Sequence, residues 1–336
     1  MQRPRVSFCF TTYKRFEYLR KTLESVQKQT FPDFEVIVSD NDPEQSARTI
    51  VESFDERFKY FPNHENLGMK KSFNKSLERS SGEYIVMIAD DDPVYPDMLE
   101  TLIGLAENYP GYGMYMGGCD WFCTEPQIGK LYNFNVGTNS CLSNNFSIGH
   151  IQTFSAEEFV IKLFSLKIFS HYLWSTCIVQ KNILLEIEGV PDYGTPFLGD
   201  YAYLSAVGAK KGVVVINKSL GCQTLHNENF GRNQNEQLIL AAKNFPTYVK
   251  DKTKHLQNWP LIEQQIYRFT ALWIVSHLSF LHHYYQQTGN RNESFRQAEK
   301  ELFKLKYLTK YKFKYLLKKN FPVIHNLAVK IKSFIK

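Results

Sequence analysis

The chain has 336 residues, 43% of them hydrophobic and 22% charged, with a formal net charge of +6; this excludes an intrinsically disordered polymer and leaves room for one large α/β domain or two ordinary ones. The charge is uneven, because ten lysines and no acid follow Glu301, so that residues 291–336 stand at +10 and residues 1–290 at −4. No run reaches the roughly 18 uncharged apolar residues of a membrane span, the stretch after Met1 lacks the apolar core of a secretory leader, and six cysteines without a C-x-x-C pair are expected as reduced thiols in a cytosolic protein.

Val6 to Phe10 is β-branched and aromatic, as a buried strand is. Leu19, Leu23 and Val26 then repeat at helical spacing, and Pro32 ends the continuation. Phe34 to Val38 predicts a second strand ending at Asp40, Ala47 to Phe54 a short helix, Phe58 to Phe61 a third strand, Lys70 to Arg79 a helix, and Tyr84 to Ala89 a fourth strand. Strand alternating with helix predicts a mostly parallel sheet with helices on both faces. Ligands of such sheets bind beyond the carboxyl ends of the strands, and both Asp40 and the run Asp90-Asp91-Asp92 come directly after predicted strands. They are expected to open into one crevice.

Downstream, Asp97 to Asn108 reads as a helix and Tyr112 to Met116 as a strand, while Glu125 to His150 has no clear periodicity and reads as a long loop. Ser155-x-x-Glu158 has capping-box spacing ahead of Phe159, Leu163 and Leu166. Cys177 to Val179 and Val213 to Ile216 are predicted strands around a helix from Tyr201 to Ala209, and Leu220-Gly221 reads as a turn. Beyond about Gly231 the pattern is helical and rich in lysine. The predicted organisation is a catalytic domain over 1–230, with a nucleotide half to 120 and an acceptor half from 121, then a helical extension over 231–290 and a basic amphipathic tail over 291–336.

Three adjacent carboxylates repel one another, which asks for a cation. A hard divalent ion such as Mg²⁺ takes one or two carboxylates and completes its shell with water and phosphate. In an extended segment Asp90 and Asp92 share one side and Asp91 the other. The alternative from spacing alone is a solvated acidic turn ahead of the helix after Pro96.

The runs VSFCFTTYKR (6–15), SVQKQT (25–30) and DFEVIVSDN (33–41), followed in order by Asn66-Leu67-Gly68, Asn74, SGEYI (81–85) and the acid triplet, resemble the family 2 glycosyltransferases of the GT-A fold, of the bacterial surface-polysaccharide type. The resemblance is close over residues 5–100 and weaker to about 230. It implies a GT-A, Rossmann-like α/β domain that transfers a sugar from a nucleotide-sugar donor, expected to be a UDP-sugar, with inversion at the anomeric carbon and with Mg²⁺ or Mn²⁺ as cofactor. By position it implies that Thr12 and Arg15 line the nucleotide pocket, that Asp40 receives a hydrogen bond from the base, and that Asn66, Asp90 and Asp91 belong to the donor site, with Asp90 nearer the ribose. Asp92 is the implied metal carboxylate. Where many members carry Arg before Asn, this chain has Phe73-Asn74, so Lys70 or Lys71 is the candidate phosphate-facing cation. Asp200, in the place of the family's acidic base, is the implied general base, against the reading of a helix cap. His226 is a candidate for the diphosphate or the metal, against an ordinary loop histidine, and Trp174 is read as a sugar platform or, more simply, as core.

The tail interleaves lysine with leucine and aromatic residues, a pattern that suits an anionic membrane surface, a helix packed on the catalytic domain, or, least well, nucleic acid. Together with the resemblance it implies a cytoplasmic protein held peripherally at the inner face of the cell membrane, with a glycan or lipid-linked glycan as acceptor. A sugar-phosphate nucleotidyltransferase and a non-catalytic, nucleotide- and membrane-binding relative are the competing functions.

Overall fold

A computed structural model of the chain describes residues 3–320 apart from 133, 141, 144, 169–172, 228, 230–233 and 290–292. In chain order the elements are β1 (Val6–Thr12), α1 (Phe16–Gln27), β2 (Phe34–Asp40), α2 (Arg48–Val51), β3 (Phe58–Pro62), α3 (Met69–Arg79), β4 (Tyr84–Ala89), α4 (Met98–Asn108), β5 (Met114–Cys123), α5 (Pro126–Tyr132), β6 (Gly137–Asn139), β7 (Ile151–Phe154), α6 (Ala156–Ser165), β8 (Cys177–Gln180), α7 (Lys181–Glu186), α8 (Gly199–Lys211), β9 (Val213–Leu225), α9 (Asn235–Thr253), α10 (Trp259–Thr288), α11 (Glu293–Leu302), α12 (Lys306–Thr309) and α13 (Lys312–Asn320). Among the described residues the strands join in one sheet, ordered β3-β2-β1-β4-β8-β5-β9-β7, with β6 on β5. The first four strands are parallel, β8 is antiparallel to both its neighbours, and β5 and β9 are again parallel.

Two apolar layers flank this sheet. Phe8, Val36, Val86 and Tyr115 point to one face and are covered by Leu19, Leu23 and Val26 of α1 and by Leu99 and Leu102 of α4. Cys9, Met87, Met114 and Val215 point to the other, under Phe73 of α3, Phe159 and Leu163 of α6, and Tyr203 and Val207 of α8. The alternation of facing follows from the two-residue period of a strand. Phe245 from α9 and Ile262, Ile266 and Phe269 from α10 enter this second layer, so the helical extension shares a core with the residues before it. Ser155 caps α6 with the reciprocal box its spacing predicts: the Glu158 N–H donates to the Ser155 hydroxyl, and the Ser155 N–H donates to the Glu158 carboxylate.

Two expectations change. The supposed loop at 125–150 contains α5 and β6. Leu220-Gly221 is no turn, because β9 runs through it for 13 residues. The strand is held there on both edges: register shifts at Gly117/Gly118 and Gly118/Asp120 let β5 follow it, while on its other side Val94 bridges to Gly221, Cys222 N–H donates to the Pro93 carbonyl and Tyr95 N–H to the Leu220 carbonyl. The segment after the acid triplet is therefore paired to β9, and the far end of β9 is carried back over the triplet.

Candidate active site

The tips of β1, β2 and β4 lie side by side, with Thr12 paired in register to Asp40 and Thr11 to Ala89. Thr12 Oγ1 donates to Asp90 Oδ2 at 2.9 Å. Arg15, just beyond β1, donates to Asp90 Oδ1 at 2.7 Å and to Asp91 Oδ2 at 2.5 Å. His226, one residue past β9, brings Nε2 to 3.0 Å from both Asp91 Oδ2 and the same guanidinium. Tyr18 lies under this pair, its ring stacked on His226 at 4.4 Å and facing the Arg15 guanidinium at 5.0 Å. The extended alternation expected for the triplet is not seen: the chain turns at Asp90 and Asp91, and a turn lets neighbouring carboxylates share one cation, here Arg15.

Asp92 points elsewhere. It is buried, and burial, then the charges of Asp91 and Asp200, push its carboxyl well above the usual range against the opposing Thr224 backbone N–H. Asp90 is likewise pushed up to about 7, by burial and by Asp91, with Arg15 opposing. Burial also works against the charge on Asp91, but His226 and Arg15 outweigh it and hold that carboxyl below its usual range. Asp200 sits in the first turn of α8, where its Oδ1 accepts the Trp174 N–H at 3.2 Å. Burial lifts it to about 6. Leu198 is the cap residue of α8, so Asp200 does not occupy the capping position. Among the described residues no three His, Cys, Asp or Glu side chains close on a common metal position. The donor chemistry nevertheless fits a hard cation that needs few protein ligands: Asp92 is crowded by like charges that such an ion would relieve.

The remaining candidates lie around this cluster. Asp40 is fully buried and its carboxylate already accepts from Asp42 N–H, Ala47 N–H and the Tyr60 hydroxyl, which shapes the loop beyond β2. Asn66 is exposed and accepts the Gly68 N–H in the turn before α3. Lys71 is exposed on α3, where its neighbour Lys70 pairs with Asp192 at 2.8 Å; neither Asn66 nor Lys71 is bonded into the acidic cluster. Trp174 is buried edge-on between Phe73 and Tyr203 and belongs to the core. Phe197, just before Asp200, packs on Trp273 and His277 of α10.

One row of residues escaped the sequence reading. Thr22 Oγ1 donates to the Asp90 carbonyl, Ser25 Oγ accepts Val94 N–H, and the Gln29 amide bonds both the Tyr95 carbonyl and Leu99 N–H. With Arg15 and Tyr18 these side chains recur at steps of three and four, along one face of α1 and the residues flanking its two ends. The signal was present as a polar stripe beside the apolar one at Leu19, Leu23 and Val26.

Residues 7–166 match the family described as glycosyl transferase family 2. Among curated relatives, the GalNAc(5)-diNAcBac-PP-undecaprenol beta-1,3-glucosyltransferase of Campylobacter jejuni is 33% identical over 120 residues, 34% of this chain and 38% of that protein. Abequosyltransferase RfbV of Salmonella typhimurium is 26% identical over 178 residues, 47% of this chain and 53% of its own length. The matched stretches thus span less than two thirds of either relative. The crystal structure of S. aureus TarS 1-349 with UDP-GlcNAc superposes with a TM-score of 0.59 at 16% identity, over 89% of this chain and 81% of that one. Mannosyltransferase PcManGT from Pyrobaculum calidifontis, with GDP-Man and Mn²⁺, gives 0.54 at 13% identity over 96% and 89%. At these identities the superpositions establish the shared GT-A fold.

Proposed function

We propose, taking as premise that residues 7–166 belong to glycosyl transferase family 2, that this chain moves a sugar from a nucleotide-sugar, a UDP-sugar, to a hydroxyl of a lipid-linked surface glycan, with inversion at the anomeric carbon. The observation that carries this reading is the opposition of two carboxylates, buried Asp92 and half-buried Asp200, brought from the loop after β4 and the start of α8 and close enough for the charge of Asp200 to act on Asp92. Asp200, with its carboxyl lifted to about 6, is ionised at neutral pH and basic enough to take the acceptor proton as the oxygen attacks. The Trp174 N–H fixes its orientation. Arg15 and Thr12 hold Asp90 and Asp91 on the nucleotide side, and His226 closes that side from β9. Asp92 would hold a Mg²⁺ or Mn²⁺, which supplies positive charge to the leaving diphosphate.

The acceptor class follows the name of the C. jejuni relative, in which the glycan is written as joined through PP to undecaprenol. Work on such an acceptor places the chain against the inner face of the cell membrane as a peripheral protein, in keeping with the observation that no helix among the described residues is long and apolar enough to cross one. The test is calorimetric titration with UDP in the presence of Mn²⁺, followed by a screen of UDP-sugars for release of UDP to water. Binding of UDP together with slow release from one sugar supports the reading. Absence of UDP binding overturns it.

A further inference from the structure

Helix α13 is anchored along one side and exposes the opposite one. Tyr315 is fully buried, its ring 5.3 Å from that of Phe303. Lys318 donates to the Ser276 hydroxyl of α10 at 2.8 Å and Lys319 pairs with Glu299 of α11 at 3.1 Å, which fixes the rotation of the helix about its axis. Steps of three and four place Phe313, Leu316 and Leu317 together on the side away from Tyr315. Phe313 is 78% exposed and Leu316 39%, with Leu317 half-buried. An amphipathic helix that merely covered the core would carry polar residues there.

Lysines surround this apolar spot. Lys306, Lys310, Lys312 and Lys314 are exposed, and the stretch 302–320 contains seven lysines and no acid, whereas residues 1–301 stand at −4. The positive charge is therefore concentrated where the outward hydrophobic side chains are. Large apolar side chains between lysines are what an interfacial helix needs: the rings and branched chains enter the acyl boundary while the ammonium groups meet phosphate.

We infer that the outer face of α12 and α13 is a docking surface for an anionic lipid bilayer, with Phe313, Leu316 and Leu317 as the inserting residues and Lys306, Lys310, Lys312 and Lys314 as the headgroup contacts. The inference deepens the proposed residence at a membrane by naming the side of the molecule that meets it, and it rests on that reading for its biological setting. The sequence beyond 320, which lies outside the described residues, continues the pattern with Lys330, Lys332 and Lys336 among valine, isoleucine, leucine and phenylalanine.

The experiment is co-sedimentation of the full chain with vesicles of phosphatidylcholine alone or mixed with phosphatidylglycerol, beside light-scattering measurement of its mass. The wild type should sediment with the anionic vesicles, less at high salt, and poorly with the neutral ones. Lys310→Gln with Lys312→Gln should weaken the partition by about fivefold for each lysine removed, and Phe313→Ser with Leu316→Ser by at least about tenfold, with circular dichroism unchanged because these side chains are exposed. Wild-type protein left in the supernatant, or a Phe313/Leu316 variant that binds as the wild type does, overturns the inference. So does a wild-type dimer that the serine variant converts to monomer without any vesicle binding, since the face would then be a contact between copies. Release of UDP from a soluble donor should be the same in the wild type and the serine variant. A wild type that binds vesicles yet neither binds UDP nor releases it refutes the transferase reading and leaves the docking face standing.

Discussion

Replacing Asp200 with Asn tests the proposed chemistry with little disturbance to the fold. The amide oxygen can still accept the Trp174 N–H that Oδ1 accepts at 3.2 Å, and the side-chain volume is nearly kept, but no proton can be taken at neutral pH. A positioned general base contributes about 10²–10⁴-fold, equivalent to roughly 3–5 kcal/mol of barrier, so release of UDP from the donor to water should fall by that factor. UDP affinity in Mn²⁺ should change by less than about fivefold, since a base used only in the transition state adds little to ground-state binding. The pH profile supplies a second readout. With burial lifting Asp200 to about 6, the wild-type rate should fall about tenfold for each pH unit below that value, whereas in the variant this limb should flatten. The assay is enzyme-coupled detection of UDP between pH 4.5 and 8, with calorimetry alongside. A variant that keeps the wild-type rate, or that loses rate but retains the same acidic limb, refutes the assignment of Asp200 as base.

Arg15→Ala removes the half-buried cation shared by Asp90 and Asp91 and leaves two neighbouring carboxylates without it; the melting temperature without metal should drop, and Mn²⁺ should restore more of it in the variant than in the wild type. An equal effect of Mn²⁺ on both proteins would separate Arg15 from the cation site. Because Asp92 is held toward its neutral form, Mn²⁺ binding must displace a proton, and its affinity should climb with pH by up to about tenfold per unit for each proton lost; titration followed by Mn²⁺ paramagnetic resonance at pH 6 and pH 8 measures this, and a flat response contradicts it. Far from the site, burial raises the Glu35 carboxyl, but bonds from Lys59, Ser81 and Ser7 outweigh burial and bring it from 4.5 down to about 2. A depressed carboxyl adds stability above its unfolded value and loses it as pH falls toward the folded one, here about 3 kcal/mol. Glu35→Gln should therefore be destabilised by roughly that amount in urea at pH 7 and by much less near pH 2.5, and a difference independent of pH would contradict the bond network.

The first four strands were legible because they are short apolar runs separated by helical spacing, two of them closed by acids, a pattern read directly as a parallel sheet with an open carboxyl edge. The run Asp90 to Asp92 could be named for the same reason, standing directly after a strand, whereas Thr12 and Arg15 were named through the family resemblance. What sequence spacing could not supply was pairing between distant segments. Nothing local at Leu220-Gly221 shows that Pro93 to Tyr95 will bind that stretch and convert an expected turn into a continuous strand. That pairing is what delivers His226 to Asp91 and the Thr224 N–H to Asp92. Asp40 shows the opposite difficulty. Its place at the end of β2 was right, but the Tyr60 hydroxyl and two backbone N–H groups that engage it come from positions up to 20 residues away. The polar stripe on α1 leaves no mark in the apolar periodicity, because threonine, serine and glutamine at the same period bury hydrogen bonds instead of hydrocarbon.

Helix α10 is the wall common to two surfaces. Ser276 receives Lys318 of α13, while the next residue, His277, lies against Phe197 just before Asp200. With neighbouring helices about 8–10 Å apart axis to axis and each about 10–12 Å across, the proposed base Asp200 would stand roughly two helix thicknesses from a bilayer that met the proposed face of α13. That spacing acts as a ruler: an acceptor whose reactive hydroxyl lies close to its lipid end would be presented at the right height, whereas one elongated far from its anchor would have to bend back to reach the same point.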